Sequence, residues 1–322
     1  MLRLIMVPLD GSAFAEQALP LALTLARRAE ARLHLVRVRA SLPLDSDGAM
    51  AERYLVRITE QIESELPDRI THRVLMDEQS PLEYPPPAAR SVADLLAAHC
   101  TEQDVDLVLM TTHGRGGVRR AWLGSVADRF MRVAPRPVLL IRPQDDTFSS
   151  AARADRGISH IVIAVDGSEL AEQVIPYARD IGNLFASRFT LLRVVSPLTW
   201  DMAPEAFAVH PGLQFPPLSR ADAEQYVERL ADRLRETEMT VEVHVVRAPS
   251  AASAIVDFAA THGADLIALT TAGVGGIRRL LLGSVTDKVV RSSDVAVLVC
   301  NVQHVGERTE TVGPARPEGA TI

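Results

Sequence analysis

The sequence predicts an α/β protein of two tandem, doubly wound domains, each with a five-stranded and mostly parallel sheet. Three observations carry that prediction. Asp106 to Ile141 (DLVLMTTHGRGGVRRAWLGSVADRFMRVAPRPVLLI) returns as Asp265 to Cys300 (DLIALTTAGVGGIRRLLLGSVTDKVVRSSDVAVLVC), with roughly half the aligned positions identical. Upstream, Val7-Pro8-Leu9-Asp10-Gly11-Ser12 returns as Ile163-Ala164-Val165-Asp166-Gly167-Ser168. A repeat that long is a domain rather than a solenoid unit. Within each copy, short apolar runs alternate with helical spacing, the pattern of parallel strands joined by right-handed crossovers.

Each element has a local reason. Leu4 to Leu9 is a nearly continuous apolar run, as expected of a strand covered on both faces. Ser12 opens one helical pattern through Ala29, with Leu19, Ala22, Leu23 and Ala26 on one side. Leu33 to Val38 alternates as a second strand, and Pro43, Asp45, Asp47 and Gly48 mark a polar loop. A helix through Tyr54, Ile58 and Ile62 ends at Pro67, and Thr71 to Met76 is a third strand. Pro85-Pro86-Pro87 breaks the chain before a helix from about Arg90 to Cys100. Leu107 to Thr111, Ser125 to Val133 and Val138 to Ile141 then read as strand, helix and strand. The second half repeats this from Ile161, except for a long Pro-rich connection, Ser196 to Leu218, carrying Trp200, Phe207 and Phe215.

The domain limits follow: residues 1–143 and 160–303, a polar linker at 144–159, and a tail from 304 to 322 whose Gly, Pro, Glu and Thr content predicts disorder. With 322 residues, 47% hydrophobic and 23% charged, both domains can bury a core. A net charge of −7 argues against nucleic acid as a partner, because no cationic excess exists to release counterions. Cys100 and Cys300 lie in no metal or redox motif and read as buried thiols of a reducing compartment. No apolar run is long enough for a membrane span, and the amino-terminal segment reads as a strand, so a cytoplasmic location is expected. The uniformly apolar Val138–Ile141 and Val295–Val299 would be exposed edges unless they pair with each other, as an intramolecular pseudo-twofold dimer. Further association into a homodimer stays open.

In doubly wound sheets ligands bind beyond the carboxyl ends of the strands. Asp10-Gly11-Ser12 and the segment from Thr111 to Ser125 fall there. That segment reads Thr111-Thr112-His113-Gly114, nine residues, then Gly124-Ser125; the second copy reads Thr270-Thr271-Ala272-Gly273 and Gly283-Ser284. Glycines let backbone amides approach an anion, and a helix N-terminus attracts negative charge. A plainer reading stands beside it: Ser125-Val126-Ala127-Asp128 and Ser284-Val285-Thr286-Asp287 are capping-box-like, so each serine would cap its own helix. No Gly-Lys-Ser/Thr follows the glycines, and no G-x-G-x-x-G follows the first strand.

Taken together, the strand-one Asp, the small-x-x-Gly-x9-Gly-Ser loop and the closing apolar strand resemble the universal stress protein family, as a tandem of two Rossmann-like domains. The resemblance covers nearly all of residues 1–303. It implies that the chain binds ATP, with Mg²⁺, at up to two sites, and that the output is regulatory in the stress response, acting on an unidentified protein partner. Carried over, Asp10 and Asp166 meet the ribose and Val38 and Val194 the adenine. Gly114, Gly124, Ser125 and Val126, with Gly273, Gly283, Ser284 and Val285, hold the phosphates. Thr111 and Thr270 stand where the family has its first glycine.

Other residues fit plainer roles or open ones. Arg119-Arg120 and Arg278-Arg279 could grip a triphosphate or stay solvated, and Asp10 and Asp166 could equally cap their own turns. His113 has no ligand-spaced neighbour for a metal site. No Ser-His-Asp arrangement or metal cluster supports an enzyme beyond slow ATP hydrolysis. A nucleotide-independent stress scaffold is the other alternative. Ala272 and Val274, replacing His113 and Arg115, predict weaker phosphate affinity in the second half.

Overall fold

The computed structural model describes residues 2–39, 45–76, 90–112, 123–143, 157–197, 220–237, 239–271 and 282–301. Its first half runs β1 (Leu4–Pro8), α1 (Ala13–Glu16), α2 (Leu19–Arg28), β2 (Arg32–Val38), α3 (Asp45–Ile62), β3 (Ile70–Leu75), α4 (Val92–Glu102), β4 (Leu107–Thr111), α5 (Ser125–Val133) and β5 (Val138–Ile141). Its second half runs β6 (His160–Ala164), α6 (Glu169–Glu172), α7 (Ile175–Asn183), β7 (Arg188–Val195), α8 (Arg220–Arg235), β8 (Val241–Arg247), α9 (Ala251–Thr261), β9 (Leu266–Thr270), α10 (Ser284–Ser292) and β10 (Ala296–Cys300).

All the strands join one ten-stranded sheet in the order β3-β2-β1-β4-β5-β10-β9-β6-β7-β8. Within each half every pairing is parallel, with β1 between β2 and β4 and β6 between β7 and β9. The one antiparallel pairing is the seam, where Val297, Leu298 and Val299 of β10 face Leu140, Leu139 and Val138 of β5. The two apolar edges do meet. Side chains add to the seam: Arg142 donates to Asp294 at 3.0 Å, Asn301 to the Arg132 carbonyl at 2.9 Å, and Arg28 to the Leu184 carbonyl at 2.8 Å.

Two hydrophobic clusters, each drawing on both halves, pack on the sheet's two faces. One joins α2, α3, α7 and α8 through Leu23, Leu55, Ala178 and Val227; the other joins α4, α5, α9 and α10 through Leu96, Phe130, Phe258 and Val289. Phe130 is fully buried, which contributes about 2–3 kcal/mol by apolar area alone.

Four local expectations change. The single helix from Ser12 to Ala29 is two, α1 and α2, because Pro20 cannot donate within a continuous helix and sits instead in the first turn of α2. Pro176 divides α6 from α7 in the same way. Residues read as loop at Asp45, Asp47 and Gly48 belong to the start of α3. β2 does not alternate: Leu33, His34, Leu35 and Val36 are all buried. Gly157–Ser159, read as the end of the linker, are held down, with Ile158 buried and Ser159 donating to Asp265 at 2.8 Å.

Candidate functional site

The parallel register brings the ends of β2, β1 and β4 to one edge of the sheet, and the ends of β7, β6 and β9 to the equivalent edge of the second half. Strand order reverses between β1 and β4 and between β6 and β9, which is where a doubly wound sheet opens a crevice. Asp10 and Asp166 follow the central strands, Val38 closes β2, and Val194 lies one residue before the end of β7.

Each aspartate shapes a tight turn. Asp10 Oδ1 accepts from the Ser12 amide at 2.9 Å and its hydroxyl at 2.6 Å. Ser12 Oγ accepts in turn from the Ala15 amide, capping α1. Asp166 and Ser168 repeat the arrangement at 3.0 and 2.6 Å, with Ser168 capping α6. Gly11 and Gly167 make these turns possible by adopting φ of 85° and 90°. The turn role proposed for the two aspartates is therefore realised, whatever else they bind.

The capping role proposed for Ser125 and Ser284 is not. The N-cap residues of α5 and α10 are Gly124 and Gly283, which carry no side chain, and Ser125 and Ser284 are the first helical residues. Asp128 and Asp287, the other halves of the supposed boxes, instead accept from Arg132 and Arg291. A genuine capping box exists for comparison at α4, where Ser91 and Asp94 cap each other's amides. The first amides of α5 and α10 thus lie where no intrahelical carbonyl reaches and no N-cap side chain answers them. Ser125 and Ser284 are exposed at these ends; Val126 is partly buried, and Val285 is 37% exposed.

Gly124 and Gly283 also have a packing reason. Each amide donates to a threonine carbonyl, Thr112 and Thr271, at 2.7 Å, and a Cβ at position 283 would come within 2.8 Å of the Thr271 carbonyl oxygen. Thr111 and Thr270, the departures from the family loop, are buried last residues of β4 and β9. Gly114, Gly273, His113, Ala272, Arg115, Val274 and the arginine pairs Arg119-Arg120 and Arg278-Arg279 lie outside the described residues, as do Trp200, Phe207 and Phe215. Among the described residues no group of three or more His, Cys, Asp or Glu is placed to hold a metal ion.

Beside each Asp turn stands a bridge the sequence did not reveal. Tyr54 of α3 donates to Glu16 at 3.0 Å under the Arg37 guanidinium, 4.9 Å from the ring centre. In the second half Tyr226 of α8 donates to Glu172 at 2.9 Å, with Arg193 at 5.1 Å from the ring centre. Burial, then the adjacent glutamate, pushes both phenol pKa values up, so both remain donors. The signal available was that Glu16 and Arg37 recur as Glu172 and Arg193 in register with Asp10 and Asp166; the tyrosines are offset by the long connection.

The Universal stress protein family model matches residues 1–142 and again 157–301. The chain belongs to the universal stress protein family. A universal stress protein of Mycobacterium tuberculosis is 28% identical over 196 residues, covering 61% of this chain and 62% of the relative, so the match spans less than two thirds of its length. One from Methanocaldococcus jannaschii is 26% identical over 148 residues, 43% of this chain and 79% of its own. Among solved structures, a universal stress protein from Archaeoglobus fulgidus superposes with a TM-score of 0.63 at 17% identity, covering 92% of this chain and 96% of that one. A functionally unknown protein from Pseudomonas aeruginosa gives the same TM-score of 0.63 over 95% and 96%. At such identity these matches speak to the fold. This family member is thus a tandem, Rossmann-like α/β chain, and among the described residues no helix is long and apolar enough to cross a membrane.

Proposed function

We infer that this universal stress protein binds ATP, as its Mg²⁺ complex, at up to two sites, and that nucleotide state regulates its contacts with a protein partner during stress. The observation that carries the reading is the pair of glycine-opened helix N-termini without side-chain caps, at α5 and α10. Each stands at the switch point beside a strand-one aspartate. Exposed Ser125 and Ser284 and the first-turn amides suit phosphate oxygens, and a triphosphate gains there from the helix dipole. Asp10 and Asp166 would receive ribose hydroxyls, and the backbone at Val38 and Val194 the adenine edge. Gly114 and Gly273 would complete the phosphate loop. ATP supplies the anionic γ-phosphate whose presence or loss can bias a conformational equilibrium.

A nucleotide-independent scaffold is the second reading, and one observation favours it: Gly283 is required by its contact with the Thr271 carbonyl even with no ligand bound. The two readings separate in one experiment. The purified chain is denatured and the released adenine nucleotides are quantified by chromatography. Near two ATP per chain is the expected result for both sites, and near one would mark the halves as unequal. No nucleotide, with none taken up from added ATP–Mg²⁺, would leave the scaffold.

A further inference from the structure

Arg193 of β7 is the least comfortable charge among the described residues. Its side chain is 4% exposed, and its Nε and Nη1 are buried with no hydrogen-bond partner. A guanidinium does not shed its proton, so burial leaves a desolvated cation rather than a neutral group. The site that holds it is tightly built. Gly167 lies directly against it: a Cβ at that position would stand 2.2 Å from Nη1 and 2.9 Å from both Cζ and Nη2. Tyr226 offers its ring face at 5.1 Å, and the ring is fixed by Glu172, which also receives Arg233 at 2.6 Å. Burial lowers the guanidinium pKa, while Tyr226 and Asp166 act in the opposite sense.

The first half has the same parts without the same burial. Arg37 sits over Tyr54, Tyr54 donates to Glu16, and Arg57 approaches Glu16 at 3.6 Å, yet Arg37 remains partly exposed. An exposed arginine over a tyrosine is an ordinary surface arrangement worth little. A buried one with unanswered N–H groups, flush against the turn carrying the strand-one aspartate, costs stability unless it serves that turn.

We propose that Arg193 is a positioning residue of the second-half site. Its guanidinium, braced by the Tyr226 ring, props the Asp166-Gly167-Ser168 turn and compensates the Asp166 charge, so that the second-half turn rests on a buried cation where the first-half turn has only the partly exposed Arg37. The consequence for binding rests on the nucleotide reading above; the ordering of the turn does not. It would work against the weaker phosphate affinity expected from Ala272 and Val274, since the second half would gain support beneath Asp166.

The test uses the full chain and two readouts. Without nucleotide, hydrogen exchange is followed at the Ser168 and Ala171 amides, which close on Asp166 and Ser168. Arg193→Met is expected to speed exchange there about tenfold or more, Arg193→Lys less, and Arg37→Met to change Ser12 and Ala15 by less than about threefold. In an Asp10→Ala background, calorimetric ATP–Mg²⁺ affinity is expected to fall about tenfold in Arg193→Met and to recover in part with Lys. Unchanged exchange in folded Arg193→Met overturns the proposal. So does a uniform rise across both halves that Lys does not reverse, since that marks a purely structural cation. Should Arg193→Met fail to fold, Arg193→Lys decides: exchange faster at Ser168 and Ala171 alone supports the proposal, and exchange as in the parent sinks it. If the parent chain takes up no nucleotide, the functional reading falls while the exchange comparison still judges Arg193.

Discussion

At the scale of single residues, the two halves differ most in what they bury. His34 and His99 meet Nε2 to Nε2 at 2.8 Å, with His34 Nδ1 on the Thr71 hydroxyl; Thr190 occupies the His34 position in the second half and contacts His160 instead. Burial foremost, then the charges of His99, His72, Arg32 and Arg73, lowers the His34 pKa from 6.5 to about 4, and burial lowers that of His99 as well. The unfolded chain therefore binds a proton near pH 6.5 that the folded chain refuses until about pH 4. Stability from this pair is fully present above pH 6.5 and lost as pH falls through that window, by about 3 kcal/mol for His34. Urea unfolding between pH 7.5 and 4 should record that decline and a shallower one for His34→Gln; identical slopes would refute the assignment. A second residue-scale prediction concerns Asp106. It is 1% exposed and accepts from the Arg3 and Leu4 amides at 2.7 and 3.1 Å, tying the start of β1 to β4, as Asp265 ties β6 to β9. Asp106→Ala should cost about 2–4 kcal/mol in urea unfolding, because buried amides lose a charged acceptor.

At the scale of elements, the helices differ in what answers their first amides. α1, α4, α6 and α9 begin with a serine whose hydroxyl accepts a first-turn amide, whereas α5 and α10, both facing the crevice, begin with glycine. Gly283→Ala tests the difference. The new methyl would press on the Thr271 carbonyl, so unfolding should become easier by about 1–3 kcal/mol. Nucleotide carried by the chain should fall by the share of the second half. A destabilised variant with full nucleotide would separate helix geometry from binding. The elements also mark how far the sequence could be read. Apolar runs such as Val138–Ile141 announce buried strands because their periodicity is local, and the strand-to-crevice placement of Asp10 and Gly124 follows from strand order. Pro20 could have warned that the first helix restarts. The Tyr54–Glu16 and Tyr226–Glu172 bridges were not legible, since each joins elements far apart in the chain and no spacing rule links their partners. The same holds for Arg193: a single arginine in an apolar strand reads as an exit to solvent, and only packing reveals that it turns inward beneath Gly167.

At the scale of the whole molecule, the seam between β5 and β10 turns two sheets into one and lets both hydrophobic clusters run across the halves. That continuity predicts one cooperative unfolding transition, and the chain carries its own reporters. Cys100 lies in the first half and Cys300 in the second; both are buried, and burial pushes the Cys100 thiol up to about 12 and raises that of Cys300 as well. Neither should react with an alkylating reagent at pH 8 in the folded chain. Both should become labelled at the same urea concentration if the halves unfold together, and staggered labelling would show that the seam couples them weakly. The outer strands β3 and β8 are partly exposed and interspersed with charge, including Arg73, Glu242 and Arg247, which suits edges meant to stay unpaired. The seam has a further implication for inheritance. Two identical chains meeting along such a strand must carry the same side chains in both crevices, so every mutation strikes twice. Once one polypeptide supplies both, a change at Arg37 or Arg193 alters one crevice alone, and drift or selection can give each its own chemistry without disturbing its twin.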